Sequence, residues 1–232
     1  MAGARGLDRV ERPRLYEQVV ERLLDHVIGQ RLEPGDRLPP ERDLAERLGV
    51  SRATVAQALV ALEVLGVIDV QHGNGAVLLY RPSSAAVLRG LREHTDRLPE
   101  IVDARSAVET KLAELAALRR TPEDLARIDD ALVTMGHDID SGGRGLHGDE
   151  LFHAAVTAAA HSSVLARMMA QISDLVRETR IESLSQRGRP ERSLESHRAI
   201  AEAIRDRQPA RAAQAMSAHI ELVSDIAALK PR

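Results

Sequence analysis

Asp149 and His153 stand four residues apart in the run DELFHAAVTAAAH, so on a helix both side chains leave the same face and can share one ligand. A carboxylate and an imidazole are both donors to a divalent cation. His197 opens a later helical stretch and His219 lies well inside the last one. The chain has nine His, and a lone helical His is ordinarily a surface or hydrogen-bonded residue; His26, His94, His137, His147 and His161 have no comparable partners by spacing. Arg105 and Glu109 are again four apart on one helix face, for which the plain reading is an intrahelical ion pair. With no Cys in the chain, disulfides and thiolate metal sites are excluded, so any metal must be held by His, carboxylate and water.

The elements that must carry these residues follow from hydrophobic spacing. In residues 14–28 Leu15, Val19, Val20, Leu23, Leu24, Val27 and Ile28 recur at three and four, which predicts an amphipathic helix ending near Gly29. Turn-rich Pro34-Gly35-Asp36 and Pro39-Pro40 precede a short helix from about Glu41 to Leu48, broken by Gly49. Ser51 can cap a third helix whose buried stripe is Val55, Leu59 and Leu62 and which ends at Gly66. Then the period changes: Val67 to Gln71, a His72-Gly73-Asn74-Gly75 turn and Ala76 to Tyr80 predict a hairpin. Arg81 to Ser84 looks like a linker. From about Ala85 to Leu229 we expect six or seven helices, separated at Pro99, Thr121-Pro122, Gly142-Gly143, Ser162-Ser163, Gly188-Arg189-Pro190 and Pro209.

The fold class is therefore mainly α, in two domains expected at 1–82 and 83–232, each long enough to bury its own core. One Phe, two Tyr and no Trp leave the cores to Leu, Val, Ile and Ala and argue against an aromatic platform for single-stranded nucleic acid. Residues 1–82 hold 11 Arg against 12 acids, so any DNA surface must come from local clustering rather than net charge. No run of about 18 apolar residues appears, and MAGARGLDRVERPRLYEQVV has no apolar signal core. The expectation is a soluble cytoplasmic protein without membrane partners.

The block LPPERDLAERLGVSRATVAQALVALEVLGVIDVQHGNG, residues 38–75, resembles the N-terminal winged helix-turn-helix of the GntR superfamily of transcription regulators. The resemblance implies binding of double-stranded operator DNA, by Arg42 before the turn, Ser51, Arg52 and Thr54 at the start of the recognition helix, and His72 and Gly73 at the wing tip. Arg52 is the best candidate base reader, since a bidentate Arg–guanine contact is worth about 1–3 kcal/mol of discrimination. Many members carry Arg-Glu after the Val of this helix, whereas Val55 here is followed by Ala56 and Gln57. Gln57 could read adenine instead, and the usual operator does not carry over.

Residues 102–119, 149–161 and 197–220 resemble the FCD ligand-binding domain of the FadR subfamily. In metal-binding members the residues matching Asp149, His153, His197 and His219 converge on one divalent cation, for which this donor set suits zinc, nickel or manganese. The resemblance also turns Arg105 toward the cavity, where it could fork to a carboxylate, making a small organic acid the favoured effector. Ser162 stands where the family often has Asn, which argues against carrying over an effector identity. The implied protein is a ligand-responsive regulator acting as a homodimer, most simply a repressor, and not an enzyme. A metal-dependent helical-bundle enzyme is the alternative, but di-iron bundles need two Glu-x-x-His motifs and this chain has Glu150-Leu151-Phe152-His153 once. A regulator whose metal is purely structural is the other.

Overall fold

The computed structural model describes residues 15–71 and 75–224. The chain divides into two compact units: one runs to Leu88 without Glu63–Leu65, and the other takes Glu63–Leu65 with the chain from Arg89 onward.

The first unit opens with α1 (Leu15–Gly29), whose Val19, Val20, Leu23, Leu24 and Val27 form the buried stripe expected from their spacing. Helix α2 (Glu41–Leu48) stops at Gly49, which takes the left-handed conformation (φ 65°) that a side chain resists. Helix α3 (Arg52–Val64) begins one residue after Ser51, whose Oγ and carbonyl oxygen both accept the Thr54 N–H at 3.1 Å, so the hydroxyl caps the first turn. Val55, Ala58, Leu59 and Leu62 are buried, while Arg52 and Gln57 face solvent. Strands β1 (Ile68–Gln71) and β2 (Gly75–Leu78) pair antiparallel, with Ile68 opposite Leu78 and Gln71 opposite Gly75. His72 and Gly73 lie outside the described residues. In the expected linker, Arg81 is ion-paired to Glu33 of the same unit.

Seven helices follow among the described residues: α4 (Ser84–Arg119), α5 (Pro122–Asp140), α6 (Leu146–Ala159), α7 (Ser163–Gln171), α8 (Ser173–Leu184), α9 (Arg189–Arg205) and α10 (Pro209–Ser224). Three expectations are corrected. His197 does not open a helix; it lies midway along α9, which starts at Arg189. Pro99 does not end a helix; it sits inside α4. Its ring is on the exposed side, while Leu91, His94, Ile101, Arg105 and Val108 form one buried stripe through it. Burial along that stripe outweighs the roughly 3 kcal/mol that an interior proline costs. Conversely, α7 and α8 part at Ile172 (φ −109°, ψ 7°), a break with neither Gly nor Pro to announce it.

The core of this unit joins α5, α6, α9 and α10 around Phe152, Ile128, Val156, Ile200, Ile204 and Met216. Thr121 and Asp124 cap the start of α5 reciprocally, and Pro122 occupies its first turn. The approach of α6 to α5 depends on Gly148. A Cβ there would lie 2.4 Å from both the Cα and the backbone N of Met135, so the helices could not keep their spacing. Asp149 is the next residue on α6, and its position follows from that close approach.

Gly148→Ala should therefore destabilise the protein by about 1–3 kcal/mol or more, because backbone and not a flexible side chain must move. Gly136→Ala on α5 is the control, since its Cβ would meet only Leu194 Cδ2 at 3.7 Å. That change should be neutral or stabilising by up to about 1 kcal/mol. Thermal denaturation of the two variants checks the contrast; equal melting temperatures would show that the α5–α6 approach is not constrained at Gly148.

Candidate metal centre

Helices α6, α9 and α10 bring Asp149, His153, His197 and His219 together, all buried. One donor atom from each lies within 4.8 Å of those from the others. His197 Nε2 is 3.2 Å from His219 Nε2 and 3.5 Å from Asp149 Oδ1, and His153 Nε2 is 3.9 Å from Asp149 Oδ2. Adjacent donors held about 2.1 Å from one ion are roughly 3.0–3.4 Å apart, so the two shorter separations already suit a shared cation. Phe152, the sole phenylalanine, stacks on the His197 ring at 4.1 Å between centroids and fixes its plane.

The fit to a metal rests on orphaned atoms. Among the described residues, Asp149 Oδ2, His153 Nε2, and Nδ1 of His197 and of His219 are buried without a hydrogen-bond partner, while His153 Nδ1 faces Glu109 and Nε2 of His197 and of His219 face each other. Buried polar atoms are normally satisfied, and Asp149 Oδ2 and His153 Nε2, 3.9 Å apart and both unsatisfied, are what a shared ion would pair. The protonation states agree with that role. Burial pushes the His197 imidazole down to about 3 and holds His219 well below its ordinary value, with the neighbouring imidazoles adding to the effect at His219. Burial acts to raise the Asp149 carboxyl, but Arg180, His153 and His197 outweigh it and keep it below the usual range. Neutral imidazoles and an ionised carboxylate are the forms that bind a cation.

Around these four stands a ring of charge that spacing only partly foretold. The intrahelical pair is present: Arg105 Nε donates to Glu109 Oε1 at 2.7 Å, and both are buried. Yet Glu109 also turns Oε2 to His153 Nδ1 at 2.5 Å, a carboxylate placed to orient that ring. Arg105 Nη1 donates to Thr179 Oγ1 at 3.3 Å, and its Nη2 is buried without a partner among the described residues. From α8, Arg180 sets Nε 3.0 Å from Asp149 Oδ2 and a terminal nitrogen 3.8 Å from Glu109 Oε2. The Arg180–Asp149 approach pairs charges without meeting hydrogen-bond geometry, so both atoms keep bonding capacity.

In the first unit the expected DNA residues cluster at the start of α3 and on α2. Arg52 and Gln57 are exposed, Ser51 and Thr54 share a 2.8 Å hydroxyl contact, and the Arg42 side chain is 83% exposed beside Asp43.

Residues 15–78 match the family described as bacterial regulatory proteins, gntR family, and residues 100–222 match the FCD domain. The HTH-type transcriptional regulator LutR of Bacillus subtilis (strain 168) is 34% identical over 207 residues, spanning 84% of this chain and 93% of LutR. The chain belongs to the GntR family of bacterial regulators. The Uxu operon transcriptional regulator of Escherichia coli (strain K12) is 35% identical over 162 residues, 68% of this chain and 63% of that protein. The solved structure of E. coli McbR/YncC, 22% identical, shares the fold with a TM-score of 0.50 over 93% of this chain and 97% of its own. This GntR-family chain is thus a DNA-binding transcription regulator with an FCD domain, not an enzyme. No helix among the described residues is long and apolar enough to cross a membrane.

Sequence reasoning missed Glu109 as a partner of His153, and missed Arg180 and Thr179 altogether, since α8 carries no spacing that points to the site. It also left His94 without a role. His94 of α4 bridges two carboxylates of α8, Glu178 through Nδ1 and Glu182 through Nε2, each at 3.0 Å. The same two helices carry Arg105, Glu109, Thr179 and Arg180, so this bridge helps align the charged ring. His161, likewise passed over, pairs with Asp124 at 2.7 Å.

Burial alone would lower the His94 pKa, but Glu178 and Glu182 reverse it and raise it to about 9. A folded value above the ordinary 6.5 means stabilisation that is complete below about 6.5 and disappears as pH rises through about 9. The wild type should lose up to about 3 kcal/mol of stability across that window, and His94→Gln should lack the slope. Urea denaturation from pH 6 to 10 reads this; parallel curves for the two proteins would remove His94 from the account.

Proposed function

We propose that this chain is a ligand-responsive regulator whose helical unit holds a divalent cation with Asp149, His153, His197 and His219 and takes a small organic acid beside it. One observation carries the reading: a carboxylate and three imidazoles, all buried, converge, with Asp149 Oδ2 and His153 Nε2 unpartnered among the described residues. Zinc, nickel or manganese suits the donors. When bound, the cation supplies positive charge and open positions for anionic oxygens. Glu109 orients His153, and Arg105, whose Nη2 is unpartnered, offers a guanidinium nitrogen to a carboxylate. No thiol competes.

The first unit, expected over residues 1–82, reads operator DNA with Arg42, Ser51, Arg52, Thr54 and Gln57, and with His72 and Gly73 at the wing. LutR and the Uxu regulator are named as transcriptional regulators, which supports a DNA-reading role. The protein works in the cytoplasm as a homodimeric repressor on a two-fold symmetric operator, because one small winged domain makes too few base contacts for high specificity. The acid shifts the balance between DNA-competent and incompetent arrangements through residues 81–84. A typical coupling of about 1–3 kcal/mol changes operator affinity roughly 5–150-fold.

Purified protein should contain about one divalent ion per chain by elemental analysis, and His197→Ala should lose it. No bound metal and no thermal shift with zinc, nickel or manganese would leave the four residues as ordinary core side chains. On DNA, Arg52→Ala should lose discrimination between operator and random sequence, while Arg42→Ala should weaken both and flatten the salt dependence. Equal losses on the two DNAs for Arg52→Ala would remove it as the base reader.

A further inference from the structure

Two guanidinium groups and two carboxylates lie in one cluster: Arg105, Glu109 and Asp149 are buried, and the Arg180 side chain is 11% exposed. Their charges cancel. Glu150 does not alter the count, because it is paired at 3.0 Å with Arg177, whose side chain is 54% exposed. His153, His197 and His219 add no charge when they bind a cation, since imidazole coordinates as the neutral base. A divalent cation entering this neutral cluster leaves two positive charges without a counterpart. In a site this dry, an uncompensated ionic charge is strongly unfavourable, and the imbalance must be met by whatever binds there.

We propose that the ligand of this site is a dianion, a dicarboxylate or comparably charged organic acid, and that Arg180 together with Arg105 sets that preference. This rests on the metal-and-acid reading above and narrows it to a charge class. Arg180 is the unexpected member. It reaches the cluster from α8, whose Thr179 accepts a hydrogen bond from Arg105 of α4. Its Nε lies against Asp149 Oδ2 without satisfying it, and Arg105 Nη2 is wholly buried and unpartnered among the described residues. Two guanidinium groups thus hold unused hydrogen-bonding capacity beside the position of the cation. A monoanion would leave one positive charge uncompensated; a dianion restores the neutrality that the four side chains have by themselves.

The test is calorimetric titration of the full chain, loaded with zinc and its metal content measured, with malonate, succinate and malate, each against its own monoamide of equal length. The diacids should bind at least ~10-fold tighter than the monoamides, the scale of a hydrogen-bonded charge gained or lost. With the metal stripped by a chelator, that preference should vanish. Arg180→Met removes one positive charge, so its preference for the diacid should collapse to within about threefold, and Arg180→Lys should restore it. Should Arg180→Met fail to fold, the wild-type comparison and the metal dependence still decide the matter. Monoamides binding the zinc-loaded protein as tightly as diacids would overturn this inference alone. A chain that takes up no metal would overturn the reading beneath it as well.

Discussion

A buried ionised or hydrogen-bonding group must be compensated where it sits, because water is no longer available to do so. In the helical unit this constraint governs everything near Asp149. Two carboxylates, the Arg105 guanidinium and three imidazoles are buried, and the Arg180 guanidinium nearly so, beside a core made of Ala, Ile, Val, Phe and Met. The carboxylates and guanidinium groups answer one another in charge, but His153 Nε2, Nδ1 of His197 and of His219, and one Asp149 oxygen have no hydrogen-bond partner among the described residues. Replacing such a cluster with apolar side chains is often no less stable, so its presence points to work that only polar atoms can do. Binding a cation, and an acid beside it, is work of that kind.

The surrounding architecture can be understood as what holds these groups in place. Gly148 lets α6 lie close against α5, and Asp149 follows it directly. The capping box at Thr121 and Asp124 secures the start of α5. Phe152 stacks on His197, Glu109 turns His153, and the His94 bridge ties α4 to the helix that carries Thr179 and Arg180. Each is a local packing or hydrogen-bond requirement, and together they leave the four donor residues little freedom. A site whose ligands are locked before the ion arrives loses less conformational entropy on binding.

Much of this was legible in the sequence because it is written in local spacing. The Ser51 cap, the Val55–Leu59–Leu62 stripe and the change of period after Gly66 appear where they were expected, since helix and strand periods differ visibly over a few residues. Asp149 and His153 were readable as a pair for the same reason, whereas His197 and His219 needed the family resemblance. Pro99 misled because a proline is costly only where its missing hydrogen bond is not offset, and the buried stripe of α4 offsets it. Ile172, Arg180 and the His94 bridge were out of reach for a different reason: they are set by contacts between helices distant in the chain, which no window of sequence contains.

The central claim is that one divalent cation belongs among Asp149, His153, His197 and His219. Anomalous diffraction from crystals grown with zinc and recorded on both sides of the zinc absorption edge tests it most directly. The account predicts one strong peak per chain, within about 2.0–2.2 Å of a donor atom from each of the four residues. A strong peak elsewhere with this cluster empty, or a cluster whose orphaned nitrogens are satisfied by ordered water, would contradict it.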